Sequence, residues 1–289
     1  MTTSIAEAIL QGANQLRLGG VPEARREAGS LLAYVLDRDR SFILTHAADD
    51  LDQQHAEVFR GYLDRRAGGE PLQYITGRQD FFGRDFEVSR DVLIPRPETE
   101  LLIETALDLL GAASEGPLIC DVGTGSGCIA ITLAQELARA RFVAVDISPA
   151  AIAVATRNAK RHAVVERIDF LISDCFAALA GRYAAASFDL IVSNPPYVSE
   201  SELGSLQREV REFEPRTALA AGEDGLAIIR RLLVESAAFL KTGGYLVFEI
   251  GFTQSDAVKQ LIDAKTWELL AVHPDLQGIP RTVALRKVS

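Results

Sequence analysis

Apolar positions recur every three or four residues through the first quarter of the chain. They are Ile5, Ile9 and Leu16, then Leu31, Leu32, Val35 and Leu36, then Val58, Tyr62 and Leu63. That spacing lines one stripe of a helix, so residues 1–75 predict a small helical bundle. Gly19-Gly20-Val21-Pro22 and residues 47–52 interrupt the pattern. Between Arg78 and Pro95 the period falls to two around Gly83-Arg84, which predicts a β-hairpin linking segment over 76–95. From Arg96 onward, short apolar runs alternate with helical patterns. The runs lie at 117–120, 141–146, 168–174, 188–192, 244–250, 268–272 and 282–285. Such alternation predicts an α/β domain over 96–289 with a mostly parallel, seven-stranded, Rossmann-like sheet.

Candidate chemistry gathers at the carboxyl ends of these strands, where open α/β sheets bind ligands. Asn194-Pro195-Pro196-Tyr197 follows the run 188–192 after a single Ser. Neither proline can donate a ladder hydrogen bond, so the strand ends in a stiff, extended turn. The turn offers the Asn194 amide, the Pro195 carbonyl and the Tyr197 ring. Two such oxygens can each accept one hydrogen of a planar NH2 group. Held that way, a delocalised nitrogen points its lone pair at an electrophile, and its pyramidal transition state is favoured. Tyr197 can stack on the flat group and exclude water.

Asp121-Val122-Gly123-Thr124-Gly125-Ser126-Gly127 joins an apolar run to a helix start at Cys128. Strand, glycine turn and helix form a nucleotide-binding arrangement. The glycine spacing differs from a dinucleotide fingerprint, whose third glycine would stand where Cys128 does, and no Lys follows to make a P-loop. Asp121 puts an acid where a cationic ligand would sit. Asp146 ends the next strand and can accept from ribose hydroxyls. Asp174 ends a third, where a carboxylate can accept from an adenine amine. Three acids and a glycine turn on successive strand ends suit a positively charged adenosine, and S-adenosylmethionine fits. Beside an NH2 clamp, this reads as an N-methyltransferase.

With these residues in view, the chain resembles the release factor glutamine methyltransferases. The resemblance runs through Glu70-Pro71-Leu72-Gln73-Tyr74-Ile75-Thr76-Gly77, Leu93-Ile94-Pro95-Arg96-Pro97-Glu98-Thr99-Glu100, the glycine loop and Val192-Ser193-Asn194-Pro195-Pro196-Tyr197. It continues in Phe213-Glu214-Pro215-Arg216-Thr217-Ala218-Leu219 and, more loosely, in 275–281. It implies methyl transfer from S-adenosylmethionine to the glutamine side-chain amide of a Gly-Gly-Gln motif in peptide release factors. By the same resemblance, Gly123, Thr124, Gly125, Ser126, Gly127 and Asp146 hold the donor. Asn194 touches donor and substrate, and Pro195, Pro196 and Tyr197 complete the clamp. Some members carry Trp after Asp174. Here that position is Cys175, and Phe176 is the ring available beside it. Arg96 stands in a proline-braced loop that could close over the site or pair with Glu98 or Glu100. The helical part is expected to grip the protein substrate.

Composition narrows the alternatives. A net charge of −10 argues against a dedicated duplex binder, which needs a basic face. Methylation of an adenine amine would use the same clamp, and glutamine methylation of a ribosomal protein is a sister possibility. A non-catalytic nucleoside-binding module is the third. No run of eighteen apolar residues and no basic, apolar leader occurs, so a cytoplasmic chain without a membrane span is expected. The three cysteines form no CxxC pair and the four histidines have no ligand spacing, so no metal is expected. A monomer with no stable nucleic-acid partner completes the expectation.

Overall fold

The computed structural model describes residues 3–111 and 116–288. The chain forms two compact units, Met1–Arg78 with Gln207–Phe213, and Gln79–Leu206 with Glu214–Ser289.

The first unit is helical. A two-residue ladder pairs β1 (Thr3–Ser4) with β2 (Asp50–Leu51). Around it stand α1 (Ile5–Leu18), α2 (Ala24–Val35), α3 (Arg40–Thr45), α4 (Gln53–Ala67) and α5 (Leu72–Thr76). A capping box starts α1, with Ser4 and Glu7 each satisfying the other's backbone N–H. Asp39 and Asp52 cap α3 and α4 with one bond each, their side chains accepting from the Phe42 and His55 N–H groups. Ile5, Leu16, Leu31, Leu32 and Leu63 of the stripes read from the sequence meet in one core, but Val58 is exposed and Phe59, one residue on, takes the inward position on α4.

The second unit opens with a hairpin of β3 (Arg78–Phe81) and β4 (Arg84–Glu87). Phe82 and Gly83 both have positive φ, as a twist-matched two-residue hairpin turn requires. There follow α6 (Glu100–Leu110), β5 (Leu118–Val122), α7 (Cys128–Glu136), β6 (Arg141–Asp146), α8 (Pro149–Arg161), β7 (Ile168–Ile172) and β8 (Phe188–Ser193). The chain then contributes α9 (Arg208–Phe213) to the first unit, where Glu209 lies 2.7 Å from the buried guanidinium of Arg66. Arg66 also donates to Glu27 at 2.5 Å, so the charge is compensated twice. Back in the second unit come α10 (Ala227–Phe239), β9 (Leu240–Glu249), α11 (Ser255–Leu261), β10 (Trp267–Pro274) and β11 (Pro280–Lys287).

The sheet order is β10-β11-β9-β8-β5-β6-β7. The five strands from β9 to β7 are parallel, and β11 runs antiparallel to both its neighbours. This is the seven-stranded, mostly parallel sheet that the alternating pattern predicts. Its central strands β5, β6, β8 and β9 are buried on both faces because helices cover both, while the edge strands β10 and β7 are partly exposed. One face packs Leu102, Ile103, Ile129 and Leu133, and the other packs Phe176, Ile229, Leu232 and Val258. Strand ends differ in detail. β9 starts at Leu240, ahead of Gly243-Gly244, because Leu240 pairs with Phe188 before the register shifts. The order reverses at β5, with β6 on one side and β8 on the other, so the ligand crevice of such a sheet falls there.

Candidate functional site

At that crevice the carboxyl ends of β5, β6, β7 and β8 border an open cleft of about 300 Å³. Its floor is the glycine loop. Gly123, Gly125 and Gly127 all have positive φ. At Gly127 a Cβ would lie 2.8 Å from Ile131 Cδ1 and 3.1 Å from the Ala155 Cβ, so no side chain fits there. The N–H groups of Gly123 and Thr124 both donate to the Val145 carbonyl, which ties the loop to β6. The buried Asn158 amide braces it further, donating to the Ser126 carbonyl at 2.8 Å and exchanging hydrogen bonds with the Glu87 backbone. The hairpin therefore supports the loop as well as linking segments.

Asp146 stands half-buried on the wall. Its two oxygens accept from the Gly125 and Ser148 N–H groups, each at 2.9 Å. Burial still lifts its carboxyl above the usual range, and those hydrogen bonds oppose the rise. Asp121 lies beneath the loop and is fully buried. Its Oδ2 accepts from the Thr124 hydroxyl at 2.6 Å and from the Ala130 N–H at 3.3 Å, while Oδ1 has no partner among the described residues. Burial pushes it up to about 7, with Asp146 adding to the effect.

Opposite the glycine loop stands the Asn194 turn. Ser193 anchors it by donating to the Val122 carbonyl at 2.7 Å. The Gln254 side chain holds it from behind, donating to the Tyr197 carbonyl at 2.9 Å and the Gly225 carbonyl at 3.1 Å. A Cβ on Gly225 would meet the Tyr197 carbonyl at 2.5 Å, so this close approach requires glycine. The Asn194 amide nitrogen donates to Thr99 Oγ1 at 2.9 Å, which leaves Oδ1 as the unengaged end.

Gly123, Thr124, Gly125, Ser126, Asp146, Asp174, Cys175, Asn194, Pro195 and Pro196 all line the cleft. Gly127 and Asp121 support it from below. Two rings stand elsewhere. Phe176 is 2% exposed and stacked on Phe239 at 5.5 Å, because an apolar ring at that position completes the core under β7 and β8. Cys175, not Phe176, therefore faces the cleft. Tyr197 turns its ring against Gly251 and its hydroxyl toward Glu249, away from the cleft lining. Asp174 lines the cleft, but its Oδ1 accepts from Arg231 at 2.5 Å. Arg96 pairs with neither Glu98 nor Glu100. It donates to the buried Glu214 at 2.5 Å, joining the loop before α6 to the segment after α9.

Several wall residues escape a motif-by-motif reading: Thr99, Ile147, Thr217, Ala218 and Ala220. Thr99 and 217–218 lie inside segments that carry the family resemblance, so that signal was available. Buried Glu249, at the end of β9, had none, since a lone acid closing an apolar strand reads as solvent-facing. Among the described residues no group of three metal-binding side chains occurs, the three cysteines are free and buried, and no helix is long and apolar enough to cross a membrane.

Residues 7–77 match the family described as PrmC N-terminal domain, and residues 113–270 match a methyltransferase domain family. A release factor glutamine methyltransferase from Koribacter versatilis is 43% identical over 285 residues, covering 98% of this chain and 99% of the relative. One from Cereibacter sphaeroides is 42% identical, covering 97% and 98%. Among solved structures, a methyltransferase from Pyrococcus furiosus superposes with a TM-score of 0.52 at 15% identity, covering 72% of this chain and 91% of its own, which speaks to the fold alone.

Proposed function

The chain belongs to the release factor glutamine methyltransferase family, and from that premise we propose that it transfers a methyl group from S-adenosylmethionine to the glutamine amide of a peptide release factor. The donor supplies an electrophilic methyl on a sulfonium, which leaves as a neutral thioether. The cleft suits it. Gly123 to Gly127 give a wall without side-chain bulk, and Asp146 has lone pairs to spare for ribose hydroxyls beyond its two backbone partners. Asp146 offers negative charge to a ligand carrying ammonium and sulfonium charges, and such a ligand would favour the ionised form of the buried Asp121. Cys175 and Ile147 offer apolar surface to a flat base.

The observation that carries the reading is the direction of the Asn194 amide. With its NH2 end committed to Thr99, Oδ1 is left to accept from the substrate amide, and the Pro195 carbonyl can take the second hydrogen. Both N–H bonds held, the substrate nitrogen directs its lone pair along the line of attack. As it becomes cationic, the two oxygens stabilise the developing charge more than they did the neutral amide. The extra proton then passes to water, so no strong base is required. Tyr197 contributes through Glu249 and the backbone, not by stacking on the substrate. The helical unit, with its own core and no donor-binding loop, is assigned to holding the protein substrate in the cytoplasm. The acidic balance supports a monomer without stable nucleic-acid binding.

Asn194→Ala removes one acceptor of the clamp. Turnover should fall by about a hundredfold to a thousandfold, with the melting temperature and donor affinity close to wild type. An unfolded variant, or one with unchanged turnover, removes the basis for the clamp.

A further inference from the structure

The Asn194 amide has two orientations, and only one places an acceptor toward the substrate. A three-residue chain decides between them. Asn194 Nδ2 lies 2.9 Å from Thr99 Oγ1, and Thr99 Oγ1 lies 2.7 Å from Glu249 Oε2. Thr99 and Glu249 are 2% and 1% exposed, so water does not compete for these bonds. A hydroxyl carries one proton. With Glu249 ionised, Thr99 must donate to it, and Oγ1 keeps only lone pairs for Asn194. Only the NH2 end of Asn194 can then face Thr99. With Glu249 protonated, the carboxyl can donate to Thr99, the hydroxyl proton can turn to Asn194, and the opposite amide orientation is favoured. That orientation points NH2 at the substrate NH2, where two donors repel.

We propose that Thr99 and ionised Glu249 are positioning residues that set the orientation of the Asn194 amide and so keep its oxygen aimed at the substrate. The proposal rests on Asn194 accepting from the substrate amide. Tyr197 belongs to the same arrangement, since its hydroxyl lies beside Glu249 while its carbonyl is held by Gln254.

Glu249 is the group whose protonation matters, so its surroundings count. It faces Thr99 and Glu98 from the turn Pro97–Thr99, Tyr197 from the loop after β8, and Arg281 and Thr282 from β11. Arg281 favours the ionised form, but it is itself shared with Asp275 at 3.2 Å. Glu98 opposes it. Burial dominates and pushes Glu249 up to about 7. Turnover should therefore rise with pH through the neutral range as Glu249 ionises and locks the amide.

The test uses the full chain in two measurements. The first is kcat against pH, with saturating S-adenosylmethionine and an unmethylated release factor. Thr99→Val is expected to lose about a hundredfold in kcat, to keep its donor affinity, and to lose the acidic limb. Thr99→Ser, which restores the hydroxyl, should recover both. Glu249→Gln should have low turnover that no longer varies through neutrality. The second follows the Asn194 side-chain amide by 15N NMR, assigned by its loss in Asn194→Ala. It should titrate with a midpoint near neutrality in wild type and not in Glu249→Gln. Wild-type kcat and an intact acidic limb in Thr99→Val, or an Asn194 resonance unmoved by pH, overturns the proposal. A wild-type protein that methylates no release factor but still shows the titration contradicts the function and leaves the orienting chain standing.

Discussion

Glu249→Gln should gain stability relative to wild type as pH rises, while making a poorer enzyme. In the folded chain the carboxyl is 1% exposed and is lifted from 4.5 to about 7, chiefly by burial. An acid whose folded pKa lies above its unfolded value binds more protons folded than unfolded between those two values. Stability therefore falls as pH rises through that window, and the loss is complete above about 7. The full cost at high pH is about 3.5 kcal/mol, at about 1.4 kcal/mol per pKa unit. At pH 5 part of it is already incurred, so between pH 5 and pH 8 the difference is about 2.5 kcal/mol. Glutamine has no proton to lose. Any mispairing of its amide with Thr99 adds the same amount at both pH values and cancels. Urea denaturation of both proteins at pH 5 and pH 8 is the assay. The stability of Glu249→Gln relative to wild type should improve by about 2.5 kcal/mol from the lower to the higher pH. A change below about 1 kcal/mol would mean that Glu249 is not held near neutrality, and the physical basis of its role as a switch would fail.

Asp146→Ala should weaken S-adenosylmethionine binding by about 1.5–3 kcal/mol, the worth of a hydrogen bond to a charged group. Isothermal titration reads this directly, and an unchanged Kd would refute the ribose assignment. Gly127→Ala forces an L residue into φ +82° with its Cβ 2.8 Å from Ile131 Cδ1. The left-handed backbone costs about 1–2 kcal/mol and the overpacking about 1–3 kcal/mol. Chemical denaturation should show a loss within that combined range, and a neutral substitution would mean the loop can move aside.

The sheet was legible because its central strands are buried on both faces and stand out as apolar runs between helical patterns. The glycine loop and the Asn194 turn were legible because each depends on backbone geometry that only Gly or Pro supplies. What stayed hidden depends on distant partners. Tyr197 reads as a stacking ring beside two prolines, but Gln254 and Glu249, more than fifty residues away, draw its carbonyl and hydroxyl out of the cleft. Phe176 reads as a cleft ring and goes to the core, because Phe239 offers it a stacking partner. Arg96 has two acids within four residues in sequence, yet pairs with Glu214, whose burial gives the stronger electrostatic claim. The excursion of α9 into the helical unit had no local signal either, since an exposed helix rich in Arg and Glu looks like any solvated face. Its role appears only when Glu209 meets the buried Arg66.

Mass spectrometry of a purified, unmethylated peptide release factor, incubated with this protein and S-adenosylmethionine, tests the central claim most directly. A gain of one methyl on the glutamine of the Gly-Gly-Gln motif, abolished by Asn194→Ala, is the predicted result. An unmodified release factor, with methyl transfer instead to an adenine amine or to a ribosomal protein, would keep the clamp and contradict the assignment of its substrate.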